Sequence, residues 1–241
     1  MTERENVISD NFEHVTERIA EAVRRRGTGE PRGTGEPVEL LAATKTVPAD
    51  EIVFAADHLG LRLAGENRVQ EFDSKYDTVA GHLEYHFIGH LQTNKVRRIV
   101  GRAALIHSVS SIRLAREIDR VASSLGIVQD VLLEVNIARE ESKSGFLPEE
   151  IPDAVGITGN LSAIQVRGLM TMGPAGVENA ELRKYLKETY AIFIDNFTKK
   201  PHNIEKAVLS MGMSGSYETA IEEGATMVRI GSALFGRRQP V

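Results

Sequence analysis

Apolar residues along this chain follow two different periods. Ile8, Phe12, Val15, Ile19 and Val23 recur at helical spacing, so residues 1–25 are predicted to form an amphipathic helix with a polar outer face. From Val38 onward the pattern becomes short β-type runs: Val38–Thr44, Arg62–Glu66, Tyr85–Gly89, Leu105–Val109, Val131–Asn136, Ile164–Met172, Val208–Met213 and Met227–Leu234. Helical stretches at Asp50–Leu59, Ser111–Leu125, Ala180–Phe197 and Ser216–Glu223 separate many of them. This alternation predicts parallel strands joined by crossover helices. Eight such units predict an α/β fold, a single (β/α)8 TIM barrel with one extra N-terminal helix. An open doubly wound sheet is the rival, but no Gly-x-Gly-x-x-Gly follows an early strand.

Between helix and first strand, Gly27-Thr28-Gly29-Glu30-Pro31 returns as Gly33-Thr34-Gly35-Glu36-Pro37. Glycine and proline at this density predict a solvated, extended insertion over 26–37. No Gly-Lys-Ser or Gly-Lys-Thr follows, which argues against a phosphate cradle there.

A chain of 241 residues, 41% of them hydrophobic, suffices for one sizeable core, so residues 1–241 are expected to form one domain. The net charge of -5 is spread without a basic block, which argues against a nucleic-acid partner. The absence of cysteine excludes disulfides, thiolate metal sites and cysteine nucleophiles, and is compatible with a reducing cytoplasm. The start, Met1-Thr2-Glu3-Arg4, lacks the layout of a secretion signal, and no apolar run reaches the ~20 residues that span a bilayer. A soluble cytoplasmic protein is the expectation.

In a barrel the carboxyl ends of the strands converge, so their polar residues are read together. Lys45 follows the first strand; taken alone it is a solvated cation, but a desolvated lysine there has an amine able to attack a carbonyl. Glu66 and Asn67 follow the second strand, with His86 and His90 near the third, Ser108 and Ser110 near the fourth and Asn136 after the fifth. Strand six adds Arg167 and Met170-Thr171-Met172-Gly173. Strand seven ends in Ser210-Met211-Gly212-Met213-Ser214-Gly215-Ser216, and strand eight carries Arg229-Ile230-Gly231-Ser232. Small residues let backbone amides approach an anion, and barrels often hold phosphate after strands seven and eight, though Gly and Ser also make ordinary turns and caps. A buried Arg229 needs an acceptor, whether an internal carboxylate or a ligand atom. His82, His86 and His90 are spaced by four, but a strand puts such positions too far apart to chelate, and no metal site is expected. Around Ser214 the pattern Gly-x-Ser-x-Gly fails at Ser216, which argues against a serine hydrolase.

From Val38 to Arg237 the chain resembles the pyridoxal phosphate (PLP) homeostasis proteins, the YggS or PROSC family, single-domain relatives of the alanine racemase N-terminal barrel. The resemblance is carried by Ala43-Thr44-Lys45-Thr46, Gly65-Glu66-Asn67 with Val69-Gln70-Glu71, and His86-Phe87-Ile88-Gly89-His90-Leu91-Gln92-Thr93-Asn94-Lys95. Glu134-Val135-Asn136, Ser142-Lys143-Ser144-Gly145, Arg167 to Met172, Leu209 to Ser214 and Val228 to Ser232 continue it. It implies PLP held as an aldimine on Lys45, Asn67 near the ring, Ser214, Gly231 and Ser232 on the phosphate and Arg229 on the ring nitrogen, with Met211 also among the cofactor-binding residues. A guanidinium there would keep the nitrogen unprotonated and make the cofactor a poor electron sink. The racemases add a second domain with an opposing tyrosine; here the chain ends right after the eighth strand. The implied role is a cofactor carrier affecting amino-acid and keto-acid balance, monomeric or weakly dimeric, without catalytic residues, its other partners being PLP-dependent apoenzymes. The alternative is an amino-acid racemase with Lys45 as base. The family commonly has an acidic residue directly after the serine, where this chain reads Gly215-Ser216-Tyr217-Glu218.

Overall fold

The computed structural model describes residues 1–26, 37–174, 176–198 and 207–236. All but the ends of the expected insertion over 26–37 lie outside them.

In chain order the elements are α1 (Glu3–Arg26), β1 (Glu39–Ala43), α2 (Ala49–Leu59), β2 (Leu63–Glu66), α3 (Val69–Val79), β3 (Glu84–Phe87) and β4 (Ile106–Val109). They continue through α4 (Ile112–Leu125), β5 (Gln129–Val135), α5 (Ile151–Thr158), β6 (Ile164–Thr171), α6 (Asn179–Phe193), β7 (Val208–Ser210), α7 (Tyr217–Glu222), β8 (Met227–Ile230) and α8 (Ser232–Phe235). The eight strands pair in sequence order, every pair parallel, and β8 closes on β1 through Leu40 opposite Val228 and Leu41 opposite Arg229. The expected (β/α)8 barrel with its extra helix is what forms. Among the described residues no helix is long and apolar enough to cross a membrane.

Alternation along the strands divides the core. Ala42, Ala64, Tyr85, Phe87, Leu133, Leu169, Leu209, Val228 and Ile230 face the helices and join the main apolar cluster. The lumen is lined by two smaller clusters, Leu41, Leu63, Ile88 and Met227 on one side and Leu105, Leu132 and Met170 on the other. Strands covered on both faces read as continuous apolar runs, which is why the pattern from Val38 onward is legible.

Two expected strands end early. β7 stops at Ser210 and β8 at Ile230, and the run Met227–Leu234 turns from Ser232 into the helix Ser232–Phe235, burying Leu234 and Phe235. A short apolar run has the same composition in a strand and in a buried helical turn, so periodicity cannot separate them. Gly212 turns the chain after β7 at φ 94°, a conformation that suits glycine.

Helix α1 buries Ile8, Val15, Ile19 and Ala22. Arg18 and Arg25 both reach Glu218 of α7 at 2.7 Å, and the Asn11 side chain donates to the Leu234 carbonyl at 2.9 Å. The extra helix thus braces the segments that carry Ser214 and Ser232. Glu218, the first acidic residue after Ser214, ties down α1.

Candidate functional site

A cavity of about 810 Å³ opens at the carboxyl ends of the strands. Lys45, Asn67, Ser214, Arg229, Gly231 and Ser232 all line it, so six of the seven residues singled out for the cofactor come together. The seventh does not: Met211 is 0% exposed and packs in the cluster between barrel and helices. Ser210 points into the lumen, so strand alternation turns its neighbour Met211 the other way.

Lys45 sits at a strained turn. Thr46 adopts φ 66°, the left-handed region that a β-branched residue seldom occupies. Its amide donates to Glu71 Oε2 at 2.7 Å and its hydroxyl to the Lys45 carbonyl at 2.6 Å, and these contacts hold the turn. Behind it, Lys75 of α3 donates to the Thr44 carbonyl at 2.9 Å, Glu66 Oε2 at 2.7 Å and Glu71 Oε2 at 3.2 Å. Glu66, 0% exposed, also accepts the Asn67 amide at 2.7 Å. One buried lysine and two carboxylates therefore place Lys45 and Asn67 from below. Burial pushes the Glu71 carboxyl up, but the Thr46 amide and Lys75 outweigh it and leave it below the usual range. Burial, with Glu66 beside it, raises Tyr85 well above an ordinary phenol, so it stays neutral.

Opposite, Ser214 Oγ accepts from the backbone amides of Gly231 and Ala233, at 3.3 Å each. Amides that converge on one oxygen are the elements of an anion site. Gly231 fits closely against β1: a Cβ there would lie 3.0 Å from the Ala43 carbonyl oxygen, tighter than an ordinary contact. At the cavity floor Arg229, 5% exposed, donates to Ser210 Oγ at 2.7 Å and to the Thr171 carbonyl at 2.8 Å. Burial lowers its guanidinium to about 10, with Glu134 opposing, so it remains charged at neutral pH. Glu134 itself is raised by burial, against the pull of Arg229 and Ser144.

The other strand-end polar residues have local duties. Ser108 donates to the Gly89 carbonyl, and Asn136 bonds to the Glu140 and Lys143 backbone. Arg167 lies at a register shift in β6 and pairs with Asp130 at 3.3 Å, away from the mouth. His82 pairs with Asp57, His86 lies in the lumen and His90 is exposed, so the three do not converge. Sequence reading missed Lys75 as a positioning group. The signal was present, since Glu71 and Lys75 stand four apart on α3. It also missed the rim, where Arg4 of α1 pairs with Glu51 at 2.8 Å and donates to the Phe235 carbonyl at 2.7 Å.

The chain matches the family described as alanine racemase, N-terminal domain, over residues 34–239. It is 43% identical over 231 residues to the pyridoxal phosphate homeostasis protein of Aquifex aeolicus strain VF5, covering 95% of this chain and 98% of that one. A crystal structure of an unknown protein from Bifidobacterium adolescentis superposes with a TM-score of 0.86 at 36% identity, covering 97% of each chain. PipY of Synechococcus elongatus PCC7942, solved with PLP bound, gives 0.72 at 33% identity, covering 89% of this chain and all (100%) of that one. On these matches and this barrel, the chain belongs to the alanine racemase N-terminal domain family and, within it, to the pyridoxal phosphate homeostasis proteins.

Proposed function

We propose that this protein binds, shelters and delivers PLP as part of intracellular PLP homeostasis, with Lys45 as the point of covalent attachment. The observation that carries the reading is that one cavity presents an amine, a buried guanidinium and converging backbone amides on different walls. These match an aldehyde, a pyridine nitrogen and a phosphate. When bound, PLP supplies an aldehyde that reacts reversibly with amines. Lys45 contributes the amine, with Asn67 beside it, while Ser214, Gly231 and Ser232 hold the phosphate. Arg229 donates to the ring nitrogen and, keeping its own proton, leaves that nitrogen unprotonated.

The residues lining the cavity favour a carrier over a catalyst. Among the described residues, its titratable groups beside Lys45 are Arg4, Glu51 and Arg229, and Glu51 is taken by Arg4. Two-sided proton transfer needs a second acid or base facing Lys45, and none of these groups is one. In this reading the recipients are PLP-dependent apoenzymes in the cytoplasm.

The test is the absorption spectrum of purified wild type beside Lys45→Ala, with borohydride reduction and peptide mapping. A visible band lost in the variant, with reduced pyridoxyl on Lys45, supports the attachment. A colourless protein that ignores added PLP refutes the reading, and steady turnover of an amino-acid enantiomer would make it a racemase.

A further inference from the structure

Beside Arg229, the barrel lumen contains polar side chains that neither the core nor the proposed cofactor contacts explain. Barrel interiors are usually filled by branched aliphatic residues, because a buried polar group is unfavourable unless hydrogen-bonded. Here β3, β4, β7 and β8 each turn one polar residue inward: His86, His107, Ser210 and Arg229, 3%, 0%, 0% and 5% exposed. Arg229 Nη1 lies 2.7 Å from Ser210 Oγ, Ser210 Oγ 3.2 Å from His107 Nδ1, and His107 Nε2 3.0 Å from His86 Nδ1. Among the described residues His86 Nε2 has no hydrogen-bond partner, and Glu84 Oε2 stands 3.7 Å from it. Glu84, with a 70% exposed side chain, lines a second cavity of about 570 Å³ at the opposite, N-terminal mouth of the barrel. The row of contacts spans the barrel from one cavity to the other.

Its two ends give it a direction. A guanidinium only donates and a carboxylate only accepts. Arg229 donates to Ser210, whose hydroxyl proton then has His107 Nδ1 as its acceptor. A neutral imidazole carries one proton, so His107 holds it on Nε2 and donates to His86 Nδ1. His86 in turn holds its proton on Nε2, facing Glu84, a separation that a bridging water or a turn of the exposed carboxylate closes. Burial, with the charge of Arg229 nearby, keeps His107 neutral, as this order demands, and the His86 contact holds Glu84 below the usual carboxylate range, as an acceptor should be. The other charged group facing Arg229 is Glu134 of β5.

We infer that Ser210, His107 and His86 are positioning residues, a one-directional hydrogen-bond chain that fixes the orientation of Arg229 in the first cavity and ties it to Glu84 at the far mouth. The consequence for the cofactor rests on the PLP reading above; the chain itself does not. A guanidinium clamped at Nη1 presents its remaining donors in one geometry, so the chain sets how well Arg229 meets a ring nitrogen.

The first test uses full-length ¹⁵N-labelled protein without added PLP. Long-range ¹H–¹⁵N spectra should show both His86 and His107 neutral and protonated on Nε2, with the Arg229 Nη signals resolved by slow rotation. Ser210→Ala and, separately, His107→Phe should merge the Nη signals while the melting temperature confirms a folded protein. An Nδ1–H tautomer on either ring, a charged His107, or unchanged Nη signals in both variants overturns the chain. The second test titrates PLP into the same proteins: loss of the clamp should weaken binding roughly tenfold and shift the visible band. Wild-type affinity and band in both folded variants overturn the link to the cofactor. A wild type that binds no PLP refutes the proposed function, and the Nη readout then decides the chain alone.

Discussion

Lys75 Nζ lies 2.7 Å from Glu66 Oε2 inside the protein, with side chains 11% and 0% exposed, directly beneath the turn that carries Lys45. A cation and an anion buried together are tolerable only as a pair, because each alone keeps its full desolvation penalty. Lys75→Met should therefore lower stability by about 3–5 kcal/mol, whereas Glu66→Gln combined with Lys75→Met should recover much of that loss. Chemical denaturation of the two variants and wild type decides this. Equal losses in the single and double variants would mean that Lys75 acts through packing alone.

Glu71 gives the same cluster a pH dependence. Its carboxyl is depressed in the folded protein, so it contributes stability above its unfolded value, about 4.3, and this contribution is lost as pH falls through the lower folded value. Glu71→Gln should be less stable than wild type at pH 7, and the gap should narrow steadily below about pH 4.5. Melting temperatures across pH 3–7 measure it; a gap that stays constant with pH contradicts the assignment.

Thr46 stores strain beside Lys45. At φ 66° a β-branched residue is disfavoured by roughly 1–2 kcal/mol, which glycine avoids while adding chain entropy to the unfolded state. Thr46→Gly should leave the melting temperature unchanged or slightly higher, yet weaken PLP binding because Lys45 is less firmly placed. Calorimetry and a PLP titration on the same sample show whether stability and affinity move in opposite directions.

At the anion wall, Gly231→Ala puts a Cβ 3.0 Å from the Ala43 carbonyl and pushes the end of β8 away from β1. The amides of residues 231 and 233 then separate from Ser214. Affinity for inorganic phosphate and for PLP should fall about tenfold or more, with only a modest drop in melting temperature, since the strand itself stays paired. Unchanged phosphate affinity would place the anion elsewhere.

Much of this molecule is legible along the chain. Alternating runs such as Val131–Asn136 and Ile164–Met172 are covered on both faces, so apolar content alone marks them as strands, and eight of them leave few ways to close. Lys45, Asn67 and Ser214 stand out because they directly follow those runs, and Arg229 and Gly231 because they interrupt the last one, and barrel geometry brings strand ends together whatever the loops do. The ends of β7 and β8 were not legible, because a strand and a short buried helix share the same apolar run. Nor was the outward turn of Met211, which depends on which parity of β7 faces the lumen. The Lys75 bonds to Thr44 and Glu66, and the order Arg229, Ser210, His107, His86, link residues up to 103 positions apart, and no local period records such contacts. The linear sequence therefore determined the number of units and the chemistry at their ends, because burial and turn propensity act locally. The tertiary structure alone decided which buried charges pair and which way the lumen's hydrogen bonds run, because desolvation couples groups only once the barrel has closed.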